Sequence, residues 1–133
     1  MSGIEKKTLV LGASDNPQRY SNMAMNRLRS KGHPVVAIGR RLTTVGDVAV
    51  DTEKKAFSGV DTVTLYLSPR LQQEYYDYIL SLHPKRIIFN PGTENDELAR
   101  LAQANGIIVA KEDCCIAPKL AEGGNITGYN GAA

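Results

Sequence analysis

The chain has 133 residues, 42% of them hydrophobic and 23% charged, with a formal net charge of +2. This composition is typical of one globular domain with its own core, and so small a net charge argues for neither a nucleic-acid nor a membrane partner. No run approaches the ~20 apolar residues of a membrane-spanning helix, and the N-terminus lacks the apolar stretch of a signal peptide, so we expect a cytoplasmic protein.

The chain opens with a predicted strand–helix–strand unit. The apolar run Thr8–Leu11 is the first strand, and a helix is predicted over about residues 21–31. Gly32 stands where a left-handed residue commonly ends a helix. The run Pro34–Ile38 is the second strand.

The middle of the chain has no helical period between Gly39 and Gly59. Residues 45–51, VGDVAVD, are predicted to be one short strand at the sheet edge, preceded by a loop. The run Thr62–Leu67 is the next strand. It is continuous rather than alternating, as expected for a strand buried on both faces of a parallel sheet.

A second helix is predicted to open at Ser68 and Pro69. Serine is a natural N-cap, and proline suits the first helical position. Apolar residues then follow at helical spacing until Pro84 bars continuation. The strand Arg86–Phe89 comes next.

A third helix is predicted from Thr93 to the Asn105-Gly106 pair, followed by the strand Ile107–Ala110. Strands and helices therefore alternate along most of the chain. This order predicts an α/β fold with a Rossmann-like, doubly wound, mostly parallel sheet and helices on both faces.

The domain is predicted to span residues 1–122, followed by a Gly- and Asn-rich tail over residues 123–133 that we expect to fray. The two cysteines, Cys114 and Cys115, are adjacent. Adjacent cysteines suit neither a structural disulfide nor a tetrahedral zinc site, so we expect both to be reduced packing residues.

Catalytic machinery is hard to find. His33 and His83 each precede a proline, and neither has metal-ligand spacing. Asp15 beside Ser14 makes no triad without a placed histidine. We therefore predict no catalytic residue and no metal site, and a binding protein rather than an enzyme.

A ligand site is expected beyond the carboxyl ends of the strands, where helix N-termini can hold phosphate. The third helix already has Glu94, Asp96 and Glu97 near its start, which would repel an anion. In the loop before the first helix, Asp15 is the only acidic residue, and Arg19 is basic. Phosphate is therefore predicted at the first helix, although a plain strand–helix turn with basic surface residues would look alike. The residues allowing close backbone approach there are Gly12, Ala13 and Ser14.

The second strand is followed by Gly39, Arg40 and Arg41. Dinucleotide sites that prefer NAD usually carry an acid at this position to hold the ribose hydroxyls. Two arginines favour a phosphorylated ribose instead, 2′ in NADP or 3′ in coenzyme A. The alternative is a pair of surface arginines that bind no ligand.

The loops resemble a known family in combination. The stretch TLVLGASDNPQRYSNMAMNRLRSKGHPVVAIGRR, together with DTVTLYLSPR and RIIFNPGTENDELARLAQANGI, resembles the small stand-alone CoA-binding domains. That family is related to the N-terminal CoA-binding domain of the succinyl-CoA synthetase α subunit. The resemblance covers roughly residues 6–117, and its opening motif consists of Gly12, Ser14, Asn16, Pro17, Arg19, Ser21 and Gly32. In that motif Ser21 is the helix-capping serine and Gly32 the turn before the next strand.

The resemblance implies that coenzyme A or an acyl-CoA binds with its phosphates on the loop from Gly12 to Ser21. It implies an adenosine end near residues 38–41 and a pantetheine arm that passes residues 68–70 and 90–92. Many members have Asn-Pro after the second strand, where this chain has Arg40-Arg41. The implied site residues are Gly12, Ala13, Ser14, Asn16, Arg19, Ser21, Ile38, Gly39, Arg40, Arg41, Ser68, Pro69, Arg70, Asn90, Pro91 and Gly92.

The synthetase's phosphohistidine belongs to a different domain, so its ligase activity does not transfer. The predicted function is a CoA-binding carrier, sensor or accessory module, with a small-molecule CoA ligand, no nucleic-acid or membrane partner, and a homodimer or partner protein possible. The alternatives are an NADP-binding accessory protein of the oxidoreductase type and an interaction domain that kept the fold without a ligand.

Overall fold

Seven strands form one sheet in the computed structural model, which describes residues 7–111. The strands are β1 (Lys7–Ala13), β2 (Val35–Gly39), β3 (Thr43–Val45), β4 (Val48–Asp51), β5 (Val60–Leu65), β6 (Arg86–Phe89) and β7 (Ile108–Lys111). The helices are α1 (Tyr20–Ser30), α2 (Pro69–Gln72), α3 (Tyr76–Ser81) and α4 (Asp96–Ala104), with a 3₁₀ turn over Gln73–Tyr75. Cys114, Cys115 and the predicted tail lie outside the described residues.

The strand order across the sheet is β3-β4-β2-β1-β5-β6-β7. Every neighbouring pair is parallel except β3 and β4, which are antiparallel. From β1 the chain first builds outward through β2 and later, from β5, in the opposite direction. The sheet is therefore doubly wound, which confirms the predicted Rossmann-like fold and puts its topological switch point beside β1.

Helices cover both faces of this sheet, and β1 shows why its apolar run is continuous. Leu9 and Leu11 pack in the cluster that holds Ile79 of α3. Val10, pointing the other way, packs in the cluster that holds Met25 of α1. Because successive strand side chains alternate between faces, a strand covered on both sides needs apolar residues throughout.

Two helix ends match their predicted glycine signals. Gly32 has φ +80°, and the N–H of His33 after it donates to Leu28 O at 3.0 Å. Gly106 has φ +76°, and the N–H of Ile107 donates to Ala102 O at 2.9 Å. Both ends are Schellman motifs, in which a left-handed residue lets the chain satisfy the last carbonyls of the helix.

The predicted single edge strand is instead a hairpin of β3 and β4. Their two-residue turn begins with Gly46 at φ +61°, the position at which a type II′ turn requires positive φ. The Gly46-Asp47 pair between Val45 and Val48 was the available signal. β4 joins β2 in parallel, so β3 is the outermost strand on that side.

The predicted second and third helices also differ from the structure. The second is interrupted because Tyr75, at φ −104° and ψ 0°, leaves α-helical geometry. The third begins at Asp96 rather than Thr93, because Asn95 is the residue whose side chain accepts hydrogen bonds from the first turn. No helix within residues 7–111 is long and apolar enough to cross a membrane.

Candidate functional site

A cleft of about 830 Å³ opens at the carboxyl edge of the sheet, beside the switch point. It is bordered by the loops that follow β1, β2, β5 and β6, as expected for an open α/β sheet. Its lining comprises residues 12–16, 18–21, 40–41, 43, 66–68, 71 and 91–93. The predicted residues that meet in it are Gly12, Ala13, Ser14, Asn16, Arg19, Ser21, Arg40, Arg41, Ser68, Pro91 and Gly92.

Gly12 makes the turn into the cleft possible. Its φ is +94°, and the pairing of β1 with β2 shifts register there. A Cβ at this position would lie 2.8 Å from the backbone oxygen of Tyr66, on β5's side of the cleft. Only glycine combines this backbone angle with so close an approach.

The loop after Gly12 is held by its own polar groups. Ser14 Oγ accepts from the N–H of Asn16 at 3.0 Å, and Asn16 Oδ1 accepts from the N–H of Gln18 at 2.9 Å. Asn22, buried on α1, donates from Nδ2 to Ser14 O at 3.0 Å. Sequence reasoning missed Asn22, whose only signal was a polar residue on the otherwise apolar face of α1.

The N-terminus of α1 presents donors to the cleft. Arg19 is its N-cap residue and makes no side-chain cap, and the first turn contains no acid. Ser21, which the resemblance implied to be the capping serine, is the second residue of the helix and is buried. Within the described chain, the N–H groups of Tyr20 and Ser21 find no backbone or side-chain acceptor. Unpaired donors at the positive end of a helix dipole favour an anion.

The N-terminus of α4 is the opposite case. Asn95 Oδ1 accepts from the N–H groups of Glu97 and Leu98, at 3.1 and 3.3 Å. Asp96 and Glu97 add negative charge to the first turn. The N-terminus of α4 is therefore capped by a side chain and carries acids in its first turn. Such an end repels a phosphate, as the acidic residues in the sequence predict.

The two arginines after β2 differ in their partners. Arg41 Nη2 lies 3.0 Å from Asp15 Oδ1, and Thr43 Oγ1 donates to Asp15 Oδ2 at 3.0 Å. These hydrogen bonds, from Arg41 first and Thr43 second, lower the pKa of Asp15. No carboxylate in residues 7–111 lies within ion-pair distance of Arg40.

Two predicted residues from β2 lie outside the lining. Ile38 is 1% exposed and belongs to the core cluster of α3 and α4. Gly39 serves strand packing, because a Cβ there would lie 2.3 Å from Ala13 O and 3.0 Å from Val50 Cγ1. Gly39, the last residue of β2, lets β1 and β2 approach closely at the edge of the cleft.

Two more predicted residues, Pro69 and Arg70, begin α2 just outside the lining. Ser68 precedes them at the N-cap position, but its side chain makes no cap hydrogen bond. Ser68 is therefore the N-cap residue, as predicted, but the expected side-chain cap is absent: the first turn is closed by the N–H groups of Leu71 and Gln72, which donate to the backbone oxygen of Ser68. The hydroxyl lies instead on the exposed wall of the cleft.

Asn90 lies beneath the cleft rather than on its wall. It is 3% exposed, and its Nδ2 donates to Thr64 Oγ1 and to Leu65 O, both at 2.8 Å. These bonds tie the carboxyl end of β6 to that of β5. Thr93 Oγ1 in turn donates to Asn90 O at 2.8 Å, so the loop that carries Pro91 and Gly92 is pinned at its base.

Gln72 is the most important residue that the sequence did not reveal. It is fully buried on α2, and its Nε2 donates to Leu67 O and to Thr93 O, both at 2.8 Å. Its Oε1 accepts from Asn95 Nδ2 at 3.0 Å. Gln72 therefore joins the loops after β5 and β6 into one wall of the cleft.

Neither histidine lines the cleft. His83 adopts φ +51° in the turn before β6, and the backbone oxygen of His33 accepts from Arg29 at the end of α1. Residues 7–111 contain no group of three or more His, Cys, Asp or Glu side chains that could hold a metal ion.

Comparison with known proteins places the chain among CoA-binding domains. The family model described as a CoA binding domain matches residues 6–118. A crystal structure of an uncharacterized protein is similar over 90% of this chain and 97% of its own, at 45% identity and a TM-score of 0.82. No match was found among curated proteins.

Two more distant structures share the fold. A hypothetical protein from Pyrococcus furiosus is 22% identical over 85% of this chain and 98% of its own, with a TM-score of 0.73. A dinucleotide-forming acetyl-coenzyme A synthetase from Ca. Korarchaeum cryptofilum, in complex with phosphate and ADP, is 17% identical. The similarity covers 79% of this chain and 25% of the synthetase, with a TM-score of 0.67.

Proposed function

Because the chain belongs to the family of CoA-binding domains, we propose that it binds coenzyme A or an acyl-CoA in the cleft beside β1. We further propose that it is a non-catalytic carrier, sensor or accessory module. The observation that carries the proposal is the N-terminus of α1, which faces the cleft with N–H groups that find no acceptor among residues 7–111, with no capping side chain there and no acid in its first turn. Such an end suits the diphosphate of the ligand.

The cleft residues fit the rest of such a ligand. Its volume of about 830 Å³ is in the range of small-molecule sites. Arg40 and Arg41 border the end after β2, where a phosphorylated ribose would lie. Ser68 and Gly92 border the opposite wall, where the pantetheine arm would pass. The protein would bind and orient the ligand through the N–H groups at the start of α1, the two arginines and the hydroxyl of Ser68, which caps no helix.

NADP is the second candidate ligand, because the pair Arg40-Arg41 also suits a 2′-phosphate. The positive charges that border the cleft suit both NADP and coenzyme A. They differ in the group beyond the diphosphate, pantetheine in one and nicotinamide riboside in the other. A direct comparison of ligands separates the two.

Thermal unfolding with coenzyme A, acetyl-CoA, NADP and NAD in parallel tests the proposal. A ligand present at 100 times its dissociation constant should raise the free energy of unfolding by about 2.7 kcal/mol. We expect coenzyme A or acetyl-CoA to raise the melting temperature and NAD to leave it unchanged. A response to NADP without one to coenzyme A would overturn the choice of ligand, and no response to any compound would favour an interaction domain.

Ser68→Ala tests the pantetheine wall. Because the Ser68 side chain makes no cap hydrogen bond, the free energy of unfolding of the variant should lie within about 0.5 kcal/mol of that of the unsubstituted protein. Loss of one hydrogen bond to the ligand should weaken coenzyme A by about two- to tenfold. Calorimetric titration of the folded variant measures this, and unchanged affinity would remove Ser68 from the site.

A further inference from the structure

An ion pair lies inside the cleft and joins two of its walls. Arg41 Nη2 is 3.0 Å from Asp15 Oδ1 and 3.3 Å from Oδ2. Thr43 Oγ1 donates to the same carboxylate at 3.0 Å. Asp15 belongs to the loop between β1 and α1, whereas Arg41 and Thr43 follow β2, and all three residues line the cleft.

The carboxylate of Asp15 stands where an anionic ligand is expected. The hydrogen bonds from Arg41 and Thr43 lower its pKa, so it is ionised at neutral pH. It lies on the loop that leads into the N-terminus of α1, the end that attracts anions. Without a counter-charge, Asp15 would repel the phosphates that this end is suited to hold.

We propose that Arg41 is a positioning residue, which neutralises Asp15 and holds it against Thr43, and that Arg40 is the arginine left to contact the ribose phosphate. The inference rests on the proposed binding of a CoA compound and assigns different tasks to the two arginines. The guanidinium of Arg41 has a carboxylate partner within the cleft, whereas that of Arg40 has none among the described residues.

The role of this pair concerns binding rather than folding. The Arg41 side chain is 76% exposed and that of Asp15 is 34% exposed. Ion pairs in such contact with water contribute little to stability, so substituting either partner should leave the protein folded. The effect of the ion pair is therefore measured through the affinity of these variants for an anionic ligand.

The test is calorimetric titration of coenzyme A and 3′-dephospho-CoA, the same compound without the ribose phosphate. The proteins are the unsubstituted chain, Arg40→Gln, Arg41→Gln, Asp15→Asn and the double variant Asp15→Asn/Arg41→Gln. Arg29→Gln and Asp47→Asn are the matched controls. They break another exposed Arg–Asp pair, 2.9 Å apart, whose residues do not line the cleft.

Arg41→Gln should lower the affinity for both compounds by a similar factor of about three to ten. The charge of Asp15, no longer neutralised, then repels the diphosphate that the two compounds share. The double variant should return to within about twofold of the unsubstituted protein. Arg40→Gln should weaken coenzyme A about tenfold or more and 3′-dephospho-CoA less than about twofold. The control variants should stay within about twofold, which excludes a general effect of net charge.

Four results would overturn the inference. Arg41→Gln could weaken coenzyme A far more than 3′-dephospho-CoA, which would make Arg41 a direct contact to the ribose phosphate. The double variant could bind as weakly as Arg41→Gln, or Arg41→Gln could bind both compounds normally, and either would show that Arg41 does not serve to neutralise Asp15. Failure of the unsubstituted protein to bind either compound would overturn the proposed function and this inference with it.

Discussion

At the scale of single residues, glycines decide how the strands approach one another around the cleft. Gly12 combines a φ of +94° with backbone atoms of Tyr66 that a Cβ would meet at 2.8 Å. Gly59 has a similar backbone, with φ +70°, but nothing lies within 4 Å of the same position. Alanine at Gly59 would therefore introduce backbone strain alone, whereas alanine at Gly12 would add a steric clash.

Gly12→Ala should be much more destabilising than Gly59→Ala. For Gly59→Ala we expect a loss of about 1–2 kcal/mol in the free energy of unfolding, the cost of placing an L-residue at positive φ. For Gly12→Ala we expect about 3 kcal/mol or more, since the backbone oxygen of Tyr66 must also move. Urea unfolding measures both variants. Equal losses would mean that the contact with Tyr66 yields without cost.

At the scale of elements, the cleft wall formed by α2 depends on one buried amide. Gln72 contacts Leu67, Thr93 and Asn95, which belong to the loops after β5 and β6. The Gln72 side chain, with two donors and an acceptor, lies between those loops and hydrogen-bonds to both. Buried polar groups of this kind are costly when their partners are lost.

Gln72→Leu should destabilise the protein by about 2–5 kcal/mol, because it leaves the carbonyls of Leu67 and Thr93 without this partner and takes from the Asn95 amide one of its two acceptors, the other being Tyr76 Oη. Gln73→Leu is the matched control, since Gln73 is the exposed neighbour in sequence, and it should change stability by less than about 0.5 kcal/mol. Chemical denaturation of the two variants measures the difference. A small effect of Gln72→Leu would show that the loops find other hydrogen-bond partners.

The helix α3 and the 3₁₀ turn before it contact the segment after β4. Tyr78 Oη donates to Lys55 O, and Lys54 Nζ donates to Glu74 O at 2.7 Å while lying 4.9 Å from the ring centroid of Tyr75. The helical spacing of Tyr75 and Tyr78 in the sequence predicts that they lie in or beside the core rather than stack on bases. Tyr75 and Tyr78 do pack against the core cluster, as partly buried residues.

The same tyrosine predicts a dependence of stability on alkaline pH. Burial first, and then Tyr75 and Asp51, raise the pKa of Tyr78 to about 12, whereas an unfolded tyrosine titrates near ~10. The protonated phenol is therefore favoured in the folded state, and its contribution is complete below pH ~10 and lost as pH rises towards ~12.

Tyr78→Phe should flatten this alkaline loss of stability. At pH ~7 the variant should be about 0.5–1.5 kcal/mol less stable, through the lost hydrogen bond to Lys55. Urea unfolding between pH ~8 and ~11.5 measures both effects. Tyr20→Phe, at an exposed tyrosine, is the control and should keep the pH dependence of the unsubstituted protein. A variant with an unchanged alkaline slope would exclude Tyr78 as its source.

At the scale of the whole molecule, the cleft lies beside a strand in the buried middle of the sheet. β1 is hydrogen-bonded to β2 and β5, and Leu9, Val10 and Leu11 are fully buried. β3, in contrast, is paired only with β4 within the described residues. Local stability is expected to follow this difference, since edge strands can open without disrupting the core.

Hydrogen exchange should show this gradient. Amides of β1 are expected to exchange only through global unfolding, whereas amides of β3 exchange through local opening, about 100-fold faster or more. Exchange measured by NMR or mass spectrometry, at several urea concentrations, separates the two routes. Equal protection of β1 and β3 would indicate that the sheet opens as one unit.

Patterns in the amino-acid sequence were enough to predict the succession of the main strands along the chain and the ends of two helices. They also indicated which helix N-terminus suits an anion. These features follow from local rules: the 3.6-residue and 2-residue periods, glycine at positive φ, and charge in the first turn of a helix. Gly32, Gly106 and the acids of α4 carried that information within a few residues of the element they describe.

Which side chains meet in the cleft, by contrast, follows from how the whole chain folds. Asp15 and Thr43 are hydrogen-bonded across 28 positions of the chain, and Gln72 contacts Thr93 across 21. Gly39 is required because of the backbone of Ala13, to which no pattern in the sequence connects it. Such contacts leave no local signature, because the sheet's winding order sets which loops become neighbours, and a pair of arginines adjacent in sequence can thereby acquire different partners.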